Sequence, residues 1–399
     1  MSEVELREVA QVVSGQHLLD GQHNTSGKGI GYLTGPSDFG LDKPVISRWT
    51  ETPKAICEPG DVLVTVKGAG VGKVNFAPDT KAAIGRQIMA VRSDSTRLDS
   101  NYLAAFLQAQ LSYFQERAVG ATVPGLSRGD LEEIVLPFPP LSEQRQIAAR
   151  LKAQLAEVEI ARQAAQVQVQ EADVLRAAVY REAFCHVVPV TVPPQFEDAP
   201  DGWRWRKLTD IARLESGHTP SRQRPEWWGG DVSWISLTEI RALDGQWVQS
   251  TQLRTNDLGI ANSSARILPC GTVCFSRTAS VGFVTLMAAP MATSQDFANW
   301  VCGDELEPEF LMHALIRSRT ELRDLATGAT HKTIYMPTLE AFQLCAPGIT
   351  DQRRIVSRLK SQLAETDTIA QAAAAQLAEI ECLPSRLLAQ AFNNGEATP

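Results

Sequence analysis

The chain has 399 residues, of which 44% are hydrophobic and 21% are charged, and its formal net charge is −8. This composition is typical of a folded protein with more than one domain and excludes disorder as the main state. The negative net charge argues against a nonspecific cationic coat for nucleic acid, although one face can still be basic.

The cysteines and the N-terminus indicate the compartment. Seven cysteines are scattered without a Cys-x-x-Cys pair, so no disulfide framework is expected. Cys270 and Cys274 are the closest pair, but no second pair or histidine cluster accompanies them, which argues against a metal site. The acidic start of the chain is unlike a signal peptide, and the uncharged segment 278–295 is too polar to span a membrane. We therefore predict a cytoplasmic protein with reduced thiols.

In chain order, the pattern predicts a β-rich part and a long helix, then a linker, a second β-rich part and a second long helix. Runs of β-branched and apolar residues predict short strands, and Pro139-Pro140 and Pro347-Gly348 precede the long helical segments. The predicted division is residues 1–140 and 203–347 for the β-rich domains, 141–184 and 348–392 for the central helices, 185–202 for a Pro-rich linker, and 393–399 for a tail.

The chain contains an internal repeat. Gln144-Arg145 recurs as Gln352-Arg353, and at the same offset residues 141–184 align with 349–392 without a gap. The same register continues upstream, where Gly120-Ala-Thr122 aligns with Gly328-Ala-Thr330. One unit of about half the chain length is therefore used twice.

Both long helices carry apolar residues at alternating spacings of four and three. The positions in the first helix are Leu151, Leu155, Val158, Ala165, Val169, Ala172 and Val179, and those in the second are Leu359, Leu363, Thr366, Ala370, Ala373, Leu377, Ile380 and Leu387. This spacing is typical of a coiled-coil seam and predicts that the two helices pack on each other. The alternative is that each helix packs only on its own β-rich domain. Pro384 is predicted to kink or end the second helix.

No catalytic motif is recognised on this chain, so an enzyme is not expected. The segment Lys67–Lys73 resembles a phosphate-binding loop, but the glycine spacing is one residue short and Val74 follows the lysine. It is predicted to be a turn between two strands. The six histidines do not cluster, and the sequence shows neither a Gly-x-Ser-x-Gly nor a His-Glu-x-x-His motif.

The sequence contains six distinctive motifs: Gly202-Trp-Arg-Trp-Arg-Lys-Leu208, Leu214-x-Ser-Gly-His-Thr-Pro-Ser221, Pro225-Glu-Trp-Trp-Gly-Gly-Asp-Val-Ser-Trp-Ile235, Ala292-Thr-Ser-Gln-Asp-Phe-Ala-Asn-Trp300, Pro137-Phe-Pro-Pro-Leu-Ser-Glu-Gln-Arg-x-Ile147, and Ala391-Phe392 before Gly395-Glu396. Together these motifs resemble those of one family, the specificity (S) subunits of type I restriction-modification systems. His218 and Ser233 depart from the family pattern, and the first copy keeps only Gly29-Ile-Gly-Tyr-Leu33 in place of the Trp-rich stretch.

The resemblance implies both fold and function. The implied fold class is α+β, with two β-rich target recognition domains joined by two long helices that pack as an antiparallel coiled coil with a pseudo-two-fold repeat. Each domain would read one half of an asymmetric bipartite site on double-stranded DNA. Two methyltransferase (M) subunits would bind, with motor-nuclease (R) subunits in the full complex. Cofactors are expected only on those partners: S-adenosylmethionine, ATP and Mg²⁺.

Candidate DNA-binding residues are mainly basic, amide and small polar side chains, since these types read base edges and phosphates. In the first copy the candidates lie beside Gly-rich turns and are Lys28, Tyr32, Lys67, Lys73, Arg86 and Gln87. In the second copy they are Thr219, Ser221, Arg222, Arg224, Arg277, Ser294, Gln295 and Lys332.

Candidate partner-binding residues are Gln144, Arg145, Gln352 and Arg353, which are expected to be exposed at equivalent helix starts. Two other functions remain possible from the residues alone. One is a stand-alone coiled-coil protein whose β-rich domains bind protein, and the other is a nuclease with an unrecognised catalytic site.

Overall fold

The structure is a computed structural model that describes residues 2–40, 43–68, 70–118, 124–193, 198–328 and 331–392. The predicted tail 393–399, the repeat segment 120–122 and parts of the linker and of the second repeat segment, 194–197 and 329–330, lie outside the described residues. The chain forms two compact units. The first unit contains Met1–Val167 and Ala374–Pro399, and the second contains Gln168–Ala373. Both unit boundaries therefore fall inside the long helical segments.

The β-rich part of the first unit begins with nine short strands and ends with three short helices and a tenth strand. Its elements are β1 (Glu3–Glu5), β2 (Ala10–Ser14), β3 (Ile30–Leu33), β4 (Trp49–Thr50), β5 (Ile56–Cys57), β6 (Val62–Thr65), β7 (Val74–Phe76), β8 (Ala82–Ile84), β9 (Ile88–Ser93), α1 (Ser100–Ala109), α2 (Leu111–Arg117), α3 (Arg128–Glu132) and β10 (Val135–Pro137). The main sheet has the order β2-β9-β6-β7 and is antiparallel. A second sheet has the order β4-β3-β8-β5, in which β3 and β8 are parallel.

Two long helices carry the repeat. They are α4 (Leu141–Ala183) and α10 (Ile349–Phe392). Of the two predicted effects of Pro384, ending the helix is wrong, because Pro384 lies inside α10, which continues to Phe392. A kink at Pro384 stays a prediction.

The second unit has the same plan. Its elements are β11 (Val190–Thr191), β12 (Arg204–Lys207), α5 (Leu208–Ile211), β13 (Ala212–Ser216), β14 (Trp228–Ile235), β15 (Trp247–Val248), β16 (Arg254–Thr255), α6 (Asp257–Ala261), β17 (Val273–Ser276), β18 (Val284–Met287), β19 (Ala292–Thr293), β20 (Phe297–Cys302), α7 (Pro308–Arg317), α8 (Arg319–Asp324), α9 (Met336–Glu340) and β21 (Gln343–Ala346). Its main sheet has the order β13-β20-β17-β18-β15, and β14 pairs with β16 and β19. The order β13-β20-β17-β18 repeats β2-β9-β6-β7, which confirms the repeat at the level of topology.

The predicted seam positions of both helices face inward. Leu151, Ala165, Leu359 and Ala373 are buried, and the other members are buried or half-buried. Two ion pairs join the helices within the second unit. Arg176 of α4 pairs with Asp367 of α10, and Arg358 of α10 pairs with Glu182 of α4. Residues near the end of α4 thus lie beside residues near the start of α10, so the two helices run antiparallel. The α+β fold class with antiparallel long helices is therefore confirmed.

An aromatic residue at the C-terminal end of each long helical segment packs into the core of the β-rich part that belongs to the other copy of the repeat. In the first unit, the ring of Phe392 contacts Tyr102 and Phe106, with ring centroids 5.3 and 5.5 Å apart. In the second unit, Phe184 contacts Phe310 at 5.3 Å in the equivalent way. Burial of such large rings stabilises each docked end.

Candidate nucleic-acid interface

In each unit, three chain segments meet around the turn that follows one central strand. In the first unit the Val66 N–H donates to the Gln87 carbonyl at 2.8 Å, and Gly68 N–H donates to the Pro124 carbonyl at 3.0 Å. The Leu126 N–H returns to the Val66 carbonyl at 2.8 Å. We call the described residues of 66–73, together with the segments 85–87 and 124–126, the first loop cluster. The turn at 66–73 joins β6 to β7, so the predicted strand-turn-strand is confirmed.

The second unit repeats these hydrogen bonds with different residues. The Arg277 N–H donates to the Asp296 carbonyl at 2.8 Å, and Ala279 N–H donates to the Lys332 carbonyl at 3.0 Å. The Ile334 N–H returns to the Arg277 carbonyl at 2.9 Å. We call the segments 277–283, 294–296 and 332–334 the second loop cluster. The two clusters share a main-chain scaffold on which different side chains are displayed.

Four of the predicted DNA-binding residues of the first copy belong to the first loop cluster. Lys67, Lys73 and Arg86 are exposed, whereas Gln87 is half-buried with its amide against Gly35. Lys28 is also exposed but lies in a different loop, in which the Asn24 side chain accepts from the main-chain N–H of Lys28 at 3.0 Å. The first cluster therefore presents three exposed cations.

Tyr32 is not available to DNA, so its prediction as a contact is wrong. Its side chain is 4% exposed and packs with Leu18 and Ala83. The hydroxyl accepts from the Leu18 N–H at 3.4 Å. Trp234 is its counterpart in the second unit and is equally buried, because β3 and β14 hold the same place in their sheets. Tyr32 is a core residue of its unit.

In the second unit, Thr219, Arg277, Gln295 and Lys332 are brought together. The Thr219 hydroxyl forms a hydrogen bond with the Gln295 side chain, and the Arg277 guanidinium donates to the Gln295 carbonyl at 2.8 Å. Burial lowers the pKa of Arg277, which is half-buried and braces the turn with part of its donors. Gln295 and Lys332 are exposed. This cluster therefore offers amide and hydroxyl groups as well as cations.

Ser294 is a second incorrect DNA contact. Its side chain is 2% exposed, and its hydroxyl donates to the Asp296 carboxylate at 2.9 Å while accepting from the Asp296 N–H. These bonds close the turn between β19 and β20. The small polar side chain is used inside the turn, which leaves Gln295 as the outward residue.

Ser221, Arg222 and Arg224 lie on an exposed loop that precedes β14. The Arg222 guanidinium lies 6.0 Å from the Trp228 ring centroid, and Arg224 forms a 3.6 Å ion pair with Glu226. A cleft of about 630 Å³ is lined by Ser221, Thr219, His218, Trp227 and residues 261–264. The cleft joins this loop to the Thr219 side of the second loop cluster.

Gln144 and Gln352 are buried, so the prediction that they are exposed for a partner is wrong. The Gln144 side-chain oxygen accepts from the Asp99 N–H at 2.9 Å, and its amide donates to the Arg97 and Pro139 carbonyls. Gln352 makes the same three bonds, to the Glu307 N–H and to the Glu305 and Pro347 carbonyls. Each glutamine therefore fastens the start of a long helix to the segment that leads into α1 in the first unit or α7 in the second.

Arg145 and Arg353 remain exposed beside these glutamines. Arg145 lies 3.7 Å from Asp99, and Arg353 lies 3.0 Å from Glu307. Their side chains are 63% and 68% exposed, so both keep free donors at equivalent places. Their role in partner binding stays a prediction.

A further group of basic residues was not predicted from the sequence. Arg241, Arg319 and Arg323 surround the Phe283 ring at the edge of the second loop cluster. The spacing of four between Arg319 and Arg323 on a short helix was the available signal, since such residues share a helix face.

No group of three His, Cys, Asp or Glu side chains with metal-ligand geometry occurs among the residues that the structure describes. Cys270 is exposed, whereas Cys274 is buried and burial raises the pKa of its thiol. Over the same described ranges, no helix is both long and apolar enough to cross a bilayer.

Comparison with known proteins supports the interpretation of the sequence. Two curated relatives come from Methanocaldococcus jannaschii: the type I restriction enzyme MjaIX specificity subunit, 28% identical over 163 residues, and the putative type I restriction enzyme MjaX specificity subunit, 33% identical over 143 residues. The matches cover 40% and 36% of this chain but only 38% and 33% of those relatives.

Two solved structures share the fold over nearly the whole chain. An HsdS subunit from Thermoanaerobacter tengcongensis has a TM-score of 0.63 at 19% identity, covering 99% of this chain and 97% of that one. A chain from a structure describing the assembly and conformational transition of a type I restriction-modification system has a TM-score of 0.76, also at 19% identity, covering 98% and 97%.

The family match covers both copies of the repeat. Residues 1–169 and 200–379 match the family described as the type I restriction modification DNA specificity domain. That description is of a recognition component and not of a catalytic one, in agreement with the expectation that the chain is not itself an enzyme. The chain thus belongs to the family of type I restriction-modification DNA specificity proteins, with one specificity domain in each copy of its repeat.

Proposed function

We propose that this chain is the sequence-reading subunit of a type I restriction-modification complex and recognises an asymmetric bipartite site on double-stranded DNA. Residues 1–140 and 203–347 would be the target recognition domains, 141–184 and 348–392 the central helices, and 185–202 the linker between the copies. The same proposal includes a cytoplasmic location, where the chain would meet DNA.

One observation carries this proposal. Both units hold a turn, a neighbouring turn and a third segment together by the same main-chain hydrogen bonds, yet they display different outward side chains. The first loop cluster displays Lys67, Lys73 and Arg86, and the second displays Gln295 and Lys332. Lysine and arginine read guanine or phosphate, whereas glutamine reads adenine. Different side chains on one scaffold are what an asymmetric site requires.

Methylome sequencing of a strain that expresses this chain with its methyltransferase tests the proposal. We expect one bipartite motif whose two halves differ in sequence. The Gln295→Ala variant should relax the preference at one position of one half-site and leave the other half unchanged. A methylome with no bipartite motif, or a Gln295→Ala strain altered in both halves, would contradict the assignment.

The partners form a second part of the proposal. Two M subunits would bind at equivalent places near Arg145 and Arg353, and R subunits would join the full complex. S-adenosylmethionine, ATP and Mg²⁺ would act on those partners. We expect native mass spectrometry of the co-expressed proteins to show two M subunits per chain, and a single copy at saturation would refute this stoichiometry. The chain alone, with Mg²⁺ and S-adenosylmethionine, should neither cleave nor methylate DNA.

A further inference from the structure

Three arginines surround one aromatic ring in the second unit. The guanidinium carbons of Arg319, Arg323 and Arg241 lie 5.4, 5.5 and 5.8 Å from the centroid of the Phe283 ring. Each distance is within the range of a favourable cation–π contact. One ring thus holds three positive charges together at the end of the turn between β17 and β18.

The positive charges in this group exceed the nearby negative charges. Arg319 forms a two-oxygen contact with Asp244, at 2.7 Å to each oxygen. Neither Arg241 nor Arg323 has an ion pair with a carboxylate anywhere in the described ranges. Burial, followed by the positive charge of Arg319, lowers the pKa of Arg323, although a guanidinium remains protonated at neutral pH. Two unbalanced cations side by side favour the binding of an anion.

The main chain holds two of the arginines in place. The Nε atom of Arg319 donates to the Gly282 carbonyl at 2.8 Å, and that of Arg323 donates to the Val281 carbonyl at 2.9 Å. Gly282 has a φ of +96°, and a Cβ added there would lie 3.0 Å from Arg319 Cγ and 3.2 Å from Arg323 Nε. The glycine therefore allows both arginines to close on the turn. Among the described residues, the terminal nitrogens of Arg323 have no further protein acceptor.

The group is continuous with the second loop cluster. The Gly282 N–H donates to the Ser276 carbonyl at 2.9 Å, next to Arg277 in the chain. The exposed Lys332 is joined to the same turn through Ala279. A polyanion that contacts the second loop cluster would therefore extend over the arginines, which favours the DNA backbone over an isolated anion.

We propose that Arg241, Arg319 and Arg323 form a phosphate clamp that binds the DNA backbone next to the half-site read by the second unit. This inference rests on the proposed function and adds residues that carry no base information. Guanidinium groups suit this task because their donors match phosphate oxygens in pairs.

The equivalent place in the first unit lacks this clamp. Leu111 and Gln115 hold the positions of Arg319 and Arg323, and the Cβ added at Gly72 would meet Leu111 Cδ1 at 2.7 Å. The geometry of the turn is kept, but its helix offers no cation there. The clamp would therefore add backbone affinity on one half-site only.

Salt dependence of DNA binding tests the clamp. The complex with co-expressed methyltransferase is titrated against a duplex carrying the motif found by methylome sequencing and against a scrambled duplex of equal length, across a series of NaCl concentrations. Each phosphate contact contributes about 0.9 to the slope of log K against log salt concentration. We expect Arg323→Gln and Arg241→Gln each to lower the slope by about 1 on both duplexes and to leave the ratio of the two affinities unchanged.

Two variants serve as controls. Arg323→Lys keeps the charge and should retain most of the slope. Arg206→Gln removes an arginine of the same unit whose charge is balanced by a 2.7 Å ion pair with Glu305, and should leave the slope unchanged. Arg241→Gln removes no hydrogen bond to the main chain. It therefore still measures the contribution of the clamp if Arg323→Gln folds poorly.

The outcomes separate the clamp from the proposed function. If the wild-type complex does not prefer its mapped duplex, the proposed function fails, whatever the variants do. If the preference is present but neither glutamine variant changes the slope, the clamp alone is overturned. If the glutamine variants change the base preference, the arginines read bases instead. If the variants no longer bind the methyltransferase, the arginines belong to a protein interface. Stabilisation by inorganic phosphate at constant ionic strength without a slope change would indicate a site for a free anion, and each of these results also overturns the clamp.

Discussion

The same docking site is filled differently in the two units. In the second unit, where α4 docks on α7, the Tyr180 hydroxyl lies 3.1 Å from Nδ1 of the buried His313. The corresponding positions in the first unit are Leu388 and Ala105, both buried and apolar. A repeated backbone therefore tolerates both a polar pair and an apolar pair at one place. The difference shows that the repeat preserves the place where the helix docks more strictly than the size or polarity of the side chains that fill it.

The largest expected effect comes from removing a docked ring. Phe184 is fully buried, and Phe392 is 9% exposed. We expect Phe184→Ala to lower the free energy of unfolding of the second unit by about 3–5 kcal/mol, and Phe392→Ala to cost the first unit less. Urea denaturation followed by probes in each unit measures both. An equal or reversed order would show that the two docking sites are not governed by burial alone.

Acid should weaken the second unit more than the first. Burial lowers the pKa of His313 to about 4, whereas in the unfolded chain it is about 6.5. The unfolded state therefore binds more protons between these values, and stability is lost as the pH falls through this window, by about 3 kcal/mol in total. Denaturation of wild type and His313→Ala at pH 7 and pH 4.5 measures this. A pH dependence that survives in His313→Ala would assign the effect to other groups.

The two buried glutamines should be equally important. Gln144→Leu and Gln352→Leu each leave one N–H and two carbonyls without their partner, so we expect a loss of about 2–3 kcal/mol in either unit. Arg145→Leu, which removes only an exposed ion pair, should cost less than about 1 kcal/mol. Thermal unfolding of the three variants provides the comparison. A clear inequality between the glutamine variants would mean that the two helix starts are not equivalent.

The smallest expected effect is a gain of one DNA-backbone contact by the first unit. Because Gln115 holds the position of Arg323, Gln115→Arg should place a cation beside the first loop cluster. We expect the salt slope of DNA binding to rise by up to about 1, with the recognised bases unchanged. Glu116→Gln removes a negative charge from the neighbouring position and serves as the control for a general change in charge. An unchanged slope in Gln115→Arg would show that this turn does not approach the backbone of its half-site.

The parts of the fold with regular periodicity could be predicted from the sequence. The seam of α4 and α10 follows from apolar spacing, and the repeat follows from the alignment of Gln144-Arg145 with Gln352-Arg353. The burial of Gln144 could not be predicted, because its partners at Arg97 and Asp99 lie more than 40 residues away along the chain. A glutamine at the start of a helix is usually exposed, so its residue type gives no sign of burial. Only the tertiary contact reveals that it is internal.

The candidate site shows the same limit. Residue type pointed to Lys67 and Gln295, whose side chains are exposed in the structure, and their contact with DNA stays a prediction. The same criterion also selected Tyr32 and Ser294, which are buried, because residue type cannot tell an outward side chain from one that packs inside. The group around Phe283 draws on three segments, namely Arg241, the Phe283 ring itself, and the short helix that carries both Arg319 and Arg323, so no single local window of sequence contains all of it.

The docking of Phe392 on the first unit also affects how the chain is made. Ribosomes add about 5–20 residues per second, so the 208 residues between Phe184 and Phe392 emerge over roughly 10–40 seconds. During that interval Tyr102 and Phe106 lack the ring that covers them in the finished protein. The second unit needs no such wait for its ring, because Phe184 has already been synthesised when its own β-rich part appears. The N-terminal half of this protein is therefore the last to be completed, and its nascent form exposes an apolar surface that a chaperone could bind.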